Sequence, residues 1–124
     1  MTNVISETKL GYENLLAWRV ADEFAHKVYD LTLRFPKDEI FGLTSQLRRA
    51  VLSVPCNIVE GFGRNSKKEF HRFLAISLGS LAETGYLLSF AIKRGYISPQ
   101  EAKEIIEFRN RLGKIIWKFY SSLS

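Results

Sequence analysis

The chain has 124 residues, a formal net charge of +5 and 46% hydrophobic residues. This length is typical of one domain with a buried core, and this composition excludes a disordered chain. Residues 1–14 have neither a basic leader nor an apolar run, and no stretch is expected to be long and apolar enough to cross a bilayer. No contact with a membrane is therefore expected. The single cysteine, Cys56, excludes an internal disulfide, so we expect a cytoplasmic protein.

Three interruptions divide the chain into four predicted helices, at about residues 14–35, 39–61, 66–94 and 98–122. The first is Phe35-Pro36, because a residue before proline is disfavoured in helical geometry. The second contains Gly61 and Gly63, which are typical of a helix end, and the third contains Gly95.

Two of these helices begin at a capping box, Ser66 with Glu69 and Ser98 with Glu101. Each helix carries an apolar stripe at helical spacing, which begins at Ile40 in the second helix and includes Ile115 in the fourth. In the third helix the stripe contains two polar residues, Ser77 and Thr84. The pattern predicts one all-α domain over residues 1–124, an antiparallel up-down four-helix bundle.

The fourth helix has more apolar surface than one core needs. A second line beside its main stripe contains Ile106, Gly113, Trp117 and Tyr120. This line either covers a loop or the N-terminal arm, or forms a subunit interface, where Trp and Tyr are common anchors. We expect an oligomer interface that uses Ile106, Trp117 and Tyr120.

A polar line runs along the second helix, and Pro55 in the same helix predicts a kink. The line is either a solvated face or a hydrogen-bonded seam in which Arg49 and Glu60 find partners on neighbouring helices or subunits, with Glu83 and Ser80 as candidates. Its members are Gln46, Arg49, Ser53, Asn57 and Glu60.

Basic residues are concentrated in the middle of the chain, where residues 46–75 carry six Lys or Arg and two Asp or Glu. The main cluster is Arg64, Lys67, Lys68 and Arg72, which Arg48 is expected to extend. Arg64 lies between glycine and asparagine in a predicted loop where its side chain can swing. Such a cluster either aids solubility or contacts nucleic-acid phosphates without reading sequence.

A secondary basic group on the fourth helix comprises Arg111, Lys114 and Lys118. Glu107 is expected to pair with Arg111, and cations near a helix C-terminus also complement the helix dipole. Both roles are structural, so we rank this group below the first cluster as a binding site.

Two segments in the middle of the chain resemble one protein family. They contain QLRRA and SVPCNIVEG within residues 46–61, and FLAISLGSLAE at residues 73–83. Both resemble the four-helix-bundle proteins encoded by intervening sequences in bacterial 23S ribosomal RNA genes, to which the accessory variability determinant of diversity-generating retroelements is related. Trp18, Tyr29 and Phe35-Pro36 fit the same pattern, so the resemblance covers about residues 12–95.

The resemblance implies a ring-like homopentamer with a basic surface. In the retroelement relatives that surface is similar to a docking site for a reverse transcriptase and its nucleic acid. Together with the basic cluster, this predicts a non-enzymatic, homo-oligomeric adaptor that binds RNA or DNA, or a nucleic-acid-handling protein. The alternative is a scaffold that docks an acidic-surfaced protein and binds no nucleic acid.

No spacing typical of a catalytic triad, a phosphate-binding loop or a metal site is present, so no cofactor, metal or catalytic residue is expected. A third hypothesis rests on Arg64 and His71, whose spacing resembles the short Arg…His signature of HEPN ribonucleases. There the histidine would act as general acid or base and the arginine would hold the phosphate.

Overall fold

The computed structural model describes residues 11–124, and the first ten residues of the predicted domain lie outside this range. Four α-helices form the fold: α1, Leu16–Thr32; α2, Leu43–Gly63; α3, Lys67–Lys93; and α4, Pro99–Ser122. Short 3-10 turns at Tyr12–Asn14 and Lys37–Glu39 precede α1 and α2, and residues 11–124 contain no strand.

The helices form the up-down four-helix bundle that the sequence predicts. Each helix packs against its neighbour in the chain and α1 also packs against α4, whereas the diagonal pairs do not approach each other. Consecutive helices are antiparallel because the connections are short. As a result α1 and α3 begin, and α2 and α4 end, at the same end of the bundle, which we call the α2–α3 end.

The core lies along the axis of the bundle and is built from the apolar stripes. Phe24 of α1 stacks on Phe108 of α4, with ring centroids 5.8 Å apart. The two polar stripe residues of α3 are fully buried and satisfied, since Ser77 donates to the Val54 carbonyl at 2.8 Å and Thr84 to the Ser80 carbonyl at 2.8 Å. Buried hydroxyl groups without such partners would destabilise the fold.

The serine half of each predicted capping box is confirmed. The Ser66 and Ser98 hydroxyl oxygens each accept a hydrogen bond from the backbone N–H three residues later, at 3.2 Å. Glu101 of the second box also pairs with Arg34, which ties the C-terminal end of α1 to the start of α4. Arg34 and the Ser98 hydroxyl hold the pKa of Glu101 below its ordinary value.

Three details of the predicted pattern were wrong. Ile40 is 54% exposed and outside α2, because the chain after Pro36 forms a 3-10 turn and α2 begins only at Leu43. In α4, Ile116 is fully buried, whereas the predicted stripe residue Ile115 is only partly buried. Gly61 does not end α2, which continues to Gly63.

Gly61 instead permits a close approach of α2 and α3. A Cβ atom at this position would lie 2.8 Å from both Phe70 Cδ1 and Phe73 Cβ, which is too short for a normal contact. The turn that follows α2 uses Asn65, which has a positive φ of 55°. The glycine is therefore needed for packing and the asparagine for the change of direction.

α3 is also long and apolar enough, by length and composition, to meet the usual criterion for a membrane-spanning helix. The expectation that no segment would do so was therefore wrong, because α3 is apolar on its core face and on much of its outer face. Core helices of soluble proteins meet the same criterion.

We predict that Gly61→Ala lowers the free energy of unfolding by about 1–3 kcal/mol, because the new methyl group overpacks the contact with Phe70 and Phe73. Gly113→Ala is the matched control. There the Cβ would lie 3.5 Å from Leu81 Cδ2, an ordinary contact, so the higher helix propensity of alanine should be neutral or stabilising. Urea unfolding of both variants tests the pair, and equal effects would contradict the packing role of Gly61.

Candidate nucleic-acid interface

The predicted basic cluster lies at the α2–α3 end of the bundle. Arg64 follows the last residue of α2, Lys67 and Lys68 open α3, and Arg72 lies one turn further along. All four side chains are exposed. The turn between the two helices thus places these four cations on one end of the molecule.

The two arginines of the cluster are held by neighbouring carboxylates. Arg64 Nη2 donates to Glu60 Oε1 at 2.8 Å. Arg72 donates to both oxygens of Glu69, from Nε at 3.2 Å and from Nη2 at 3.1 Å. Both guanidinium groups also lie over the Phe73 ring, at 5.0 Å and 4.5 Å from its centroid. The expectations of a freely swinging Arg64 and of little neutralising acid were therefore wrong for the arginines.

The lysines of the cluster remain uncompensated. Within residues 11–124, neither Lys67 nor Lys68 has a carboxylate oxygen within ion-pairing distance. The hydrogen bond from Arg72 lowers the pKa of Glu69, and Glu69 raises that of Arg72, so this pair stays charged at neutral pH. The charge available to a ligand at this end therefore comes chiefly from Lys67 and Lys68.

Arg48 does not extend the cluster. Its Nε donates to Thr32 Oγ1 at 2.8 Å, and its guanidinium lies over the Tyr29 ring at 4.8 Å. Arg48 precedes Arg64 by 16 residues on one helix and therefore lies about 24 Å away along the axis. It faces α1 and links α1 to α2.

The three basic residues of α4 differ in their contacts. Arg111 lies over the Phe108 ring at 4.6 Å, and the predicted ion pair with Glu107 is not formed. Lys114 and Lys118 are exposed and make no ion pair within the described part of the chain. Both lie in the half of α4 that runs to the α2–α3 end, where Lys118 lines a depression against the start of α1.

The predicted polar seam forms in its middle part only. Ser53 Oγ and Ser80 Oγ are 2.7 Å apart across α2 and α3, and Asn57 Nδ2 donates to the Ser53 carbonyl and hydroxyl at 2.7 and 2.9 Å. Glu60 pairs with Arg64 on its own side of the turn, so its expected partner on another helix was wrong. Gln46 and Arg49 are exposed beside a shallow depression that Glu83 also lines.

The aromatic line of α4 packs against α3 at its C-terminal half. Tyr120 stacks on His71 of α3, with ring centroids 3.9 Å apart and an interplanar angle of 18°. Trp117 stacks on Tyr120 at 5.4 Å and 28°. Tyr120 and Ile106 are partly buried against the core, whereas Trp117 is 58% exposed. Of the three predicted interface residues, Trp117 is therefore the one whose side chain is largely exposed.

Arg64 and His71 do not form a composite site. Arg64 lies over Phe73 and pairs with Glu60, whereas His71 stacks on Tyr120 of α4. His71 and Phe73 are two residues apart, so they point to opposite flanks of α3. The His71 Nε2 atom is also enclosed and has no hydrogen-bond partner among residues 11–124. This arrangement does not fit the ribonuclease hypothesis.

The outer face of α3 is a feature that the sequence reasoning missed. It exposes small and apolar side chains over more than four turns, and Glu83 is the one charged residue between positions 73 and 92. The sparse charge in this stretch was the available signal. The exposed residues include Ala75, Ile76, Gly79, Ala82, Tyr86 and Phe90.

A second missed feature is Arg109, which lies in the groove between α3 and α4. A Cβ atom on Gly85 would come within 2.9 Å of Arg109 Nε, so the glycine makes room for the guanidinium. The Nε atom is buried and has no hydrogen-bond partner in the described part of the chain. No group of His, Cys, Asp and Glu that could hold a metal ion occurs within residues 11–124.

Comparisons with known proteins agree with this fold. A family model described as 23S rRNA-intervening sequence protein matches residues 13–118. A crystal structure of a protein of unknown function from the S23 ribosomal protein family of Bacteroides thetaiotaomicron is similar, with a TM-score of 0.78 and 22% identity, and the match covers 86% of this chain and 96% of that one. No curated protein matches the chain.

We predict that Arg72→Gln raises the pKa of Glu69 toward its ordinary value, because the hydrogen bond from Arg72 is the largest cause of the lowering. Lys68→Gln is the control and should raise it less, since Lys68 acts only through its more distant charge. NMR titration of the Glu69 carboxyl carbon measures both.

The same pair makes stability depend on pH. Because the pKa of Glu69 is lowered in the folded chain, the pair stabilises the fold above the ordinary glutamate pKa of about 4.3. This contribution is lost as the pH falls through the lowered value. A Glu69 pKa that is unchanged in Arg72→Gln would contradict the pairing.

Proposed function

The chain belongs to the 23S rRNA-intervening sequence protein family, and we propose that it acts as a non-enzymatic, self-associating adaptor that binds the phosphate backbone of nucleic acid. The observation that carries the binding proposal is the pair of exposed, uncompensated lysines at the start of α3. The apolar outer face of α3 carries the proposal of self-association.

The position of Lys67 and Lys68 supports binding of an anion. Cations at a helix N-terminus are disfavoured by the helix dipole, by about 0.3–1 kcal/mol each. Both lysines occupy that position on α3, while the nearby carboxylates Glu60 and Glu69 are engaged by arginines. The placement does not serve the stability of the helix, and it suits contact with phosphate groups of any sequence.

The outer face of α3 supports association with a second copy of the chain. A solvent-facing helix surface normally carries many charges, whereas this one carries only Glu83 over about five turns. Ala75, Gly79 and Ala82 are small, so another helix can approach closely. Among residues 11–124, nothing lies within 4 Å of a Cβ placed on Gly79, so these residues leave the surface open.

The charges beside this face favour a parallel arrangement of copies. Glu83 lies on the side of α3 toward α2, and Arg109 lies at nearly the same height on the side toward α4, against Gly85. Parallel neighbours bring the α2 side of one copy to the α4 side of the next, so that Glu83 meets Arg109. Antiparallel neighbours would place Glu83 beside a second Glu83. Parallel copies fit a closed ring such as the homopentamer that the family resemblance implies.

We predict that Lys67→Gln with Lys68→Gln weakens binding of duplex RNA at least tenfold at low salt, and lowers the slope of log K against log salt by about two. Lys93→Gln with Lys103→Gln is the matched control. It removes the same charge from exposed positions at the opposite end of the bundle and should have a smaller effect. Fluorescence anisotropy over a range of salt concentrations measures both.

Equal effects of the two double variants would contradict the assignment of this surface. Failure of the wild-type chain to bind duplex or single-stranded RNA at low salt would overturn the nucleic-acid proposal altogether. That result would favour the alternative, a scaffold whose lysines dock an acidic protein surface.

We predict that Gly79→Arg converts the oligomer to a monomer, because a long charged side chain prevents close approach of a second α3. The substitution meets no neighbour in the part of the chain that the structure describes and raises helix propensity, so folding should be retained. His26→Arg, on the exposed face of α1, is the control for added charge. Light scattering measures the mass, and an unchanged mass in Gly79→Arg would rule out this face.

A further inference from the structure

Three aromatic rings form a continuous stack at the α2–α3 end. The His71 ring of α3 stacks on Tyr120 with centroids 3.9 Å apart, and Tyr120 stacks on Trp117 with centroids 5.4 Å apart. Burial decreases along the stack, because His71 and Tyr120 are partly covered and Trp117 is 58% exposed. We call these three residues the aromatic stack. The stack ends at Trp117, whose indole ring packs on Tyr120 and is largely exposed to solvent.

Lysines lie close to the stack along both α3 and α4. Lys67 and Lys68 precede His71 by four and three residues on α3, and Lys114 precedes Trp117 by three residues on α4, so each lysine lies one turn from a ring of the stack. Lys118 is adjacent to Trp117. These lysines are exposed and make no ion pair within the described residues.

The helical segments that carry the stack contain no carboxylate side chains. Residues 108–124 contain no Asp or Glu, and neither do residues 70–82 of α3. Glu69, the nearest acid on α3, is engaged by Arg72 on the side of Phe73, away from His71. An exposed aromatic ring beside several free lysines, on helical segments without acidic residues, is the combination that suits single-stranded nucleic acids, with stacking for the bases and positive charge for the backbone.

We propose that the aromatic stack is a platform for an unpaired base of a single-stranded nucleic acid, with Trp117 as the ring that receives the base and Lys67, Lys68 and Lys114 as the backbone contacts. A base on Trp117 extends the series of rings by one member. Bases inside a duplex are already stacked on each other and cannot reach Trp117, so the platform selects unpaired strands or single-stranded ends.

The support beneath Trp117 favours binding. Contact with Tyr120 restricts the indole before a ligand arrives, so less side-chain freedom is lost when a base stacks on it. Every base has an aromatic face, so the platform discriminates little between sequences. The inference rests on the proposed nucleic-acid binding and specifies the form of the strand.

Tryptophan fluorescence tests the platform directly. The chain has two tryptophans, and Trp18 lies partly buried against Tyr12, with ring centroids 4.9 Å apart. In Trp18→Phe, Trp117 is the one remaining tryptophan, and we expect its emission to be quenched by a ten-residue oligouridylate. Inorganic polyphosphate of similar charge should bind without that quenching, because it has no base to stack.

Affinity measurements distinguish the contribution of the Trp117 ring to binding from that of the lysine charges. We expect Trp117→Leu to weaken oligouridylate binding by about tenfold or more and to leave duplex RNA binding unchanged. Trp117→Phe keeps an aromatic ring and should retain most of the single-strand affinity. Thermal unfolding and light scattering of both variants show that fold and mass are maintained.

The outcomes distinguish this inference from the function on which it rests. Oligouridylate binding that is unchanged in Trp117→Leu, or Trp117 emission that does not respond, overturns the platform, while duplex binding through Lys67 and Lys68 would still support the proposed function. If neither RNA binds, both fall. A lower mass of free Trp117→Leu, with loss of binding to both RNAs, would also overturn the platform and assign Trp117 to a subunit contact.

Discussion

The contact between α2 and α3 is the interaction on which the rest of the structure depends. The contact is tight because Gly61 has no side chain at the point where Phe70 and Phe73 of α3 pack against α2. The buried Ser77 hydroxyl of α3 also donates a hydrogen bond to the Val54 carbonyl of α2. With the helices this close, Phe73 lies beside Gly61 of α2. Its ring is then available to both Arg64 and Arg72. The packing of two helices thus determines how the charges at this end are displayed.

That arrangement separates two kinds of cation. The arginines lie flat on an aromatic ring and are paired with carboxylates, so they contribute to local structure more than to net charge. The lysines have neither restraint and extend into solvent. The aromatic stack on the other flank of α3 is likewise held by contacts between helices, through His71 and Tyr120. One helix therefore positions a charged surface on one side, an aromatic surface on the other and an apolar face between them.

Much of the fold could be predicted from the sequence, because helix boundaries leave local signals. The capping boxes at Ser66 and Ser98 were placed correctly, and so were the buried hydroxyl groups of Ser77 and Thr84. The errors arose where tertiary contacts override local preference. Gly61 resembles a helix terminator in the sequence, although its role is to admit the rings of the next helix.

The candidate site was predicted less completely. Glu60 and Arg64, and Glu69 and Arg72, are spaced for pairing along the chain, so their partial neutralisation could have been inferred from helical spacing alone. The stacking of Tyr120 on His71 could not, because it depends on how α3 and α4 are aligned. The family membership was predicted from the motifs at residues 46–61 and 73–83, and the match over residues 13–118 confirms it.

The placement of Glu83 and Arg109 on different sides of α3 also bears on how an assembly would grow. If each contact joins the α2 side of one copy to the α4 side of the next, a pair of copies leaves one side of each copy unused. A longer open series also has two unused sides, one at each end. Only closure into a circle uses all of them, and the last addition makes two contacts instead of one. Such a system contains mainly free chains and finished circles, with few sizes between, and the fraction of chains in circles rises steeply with protein concentration.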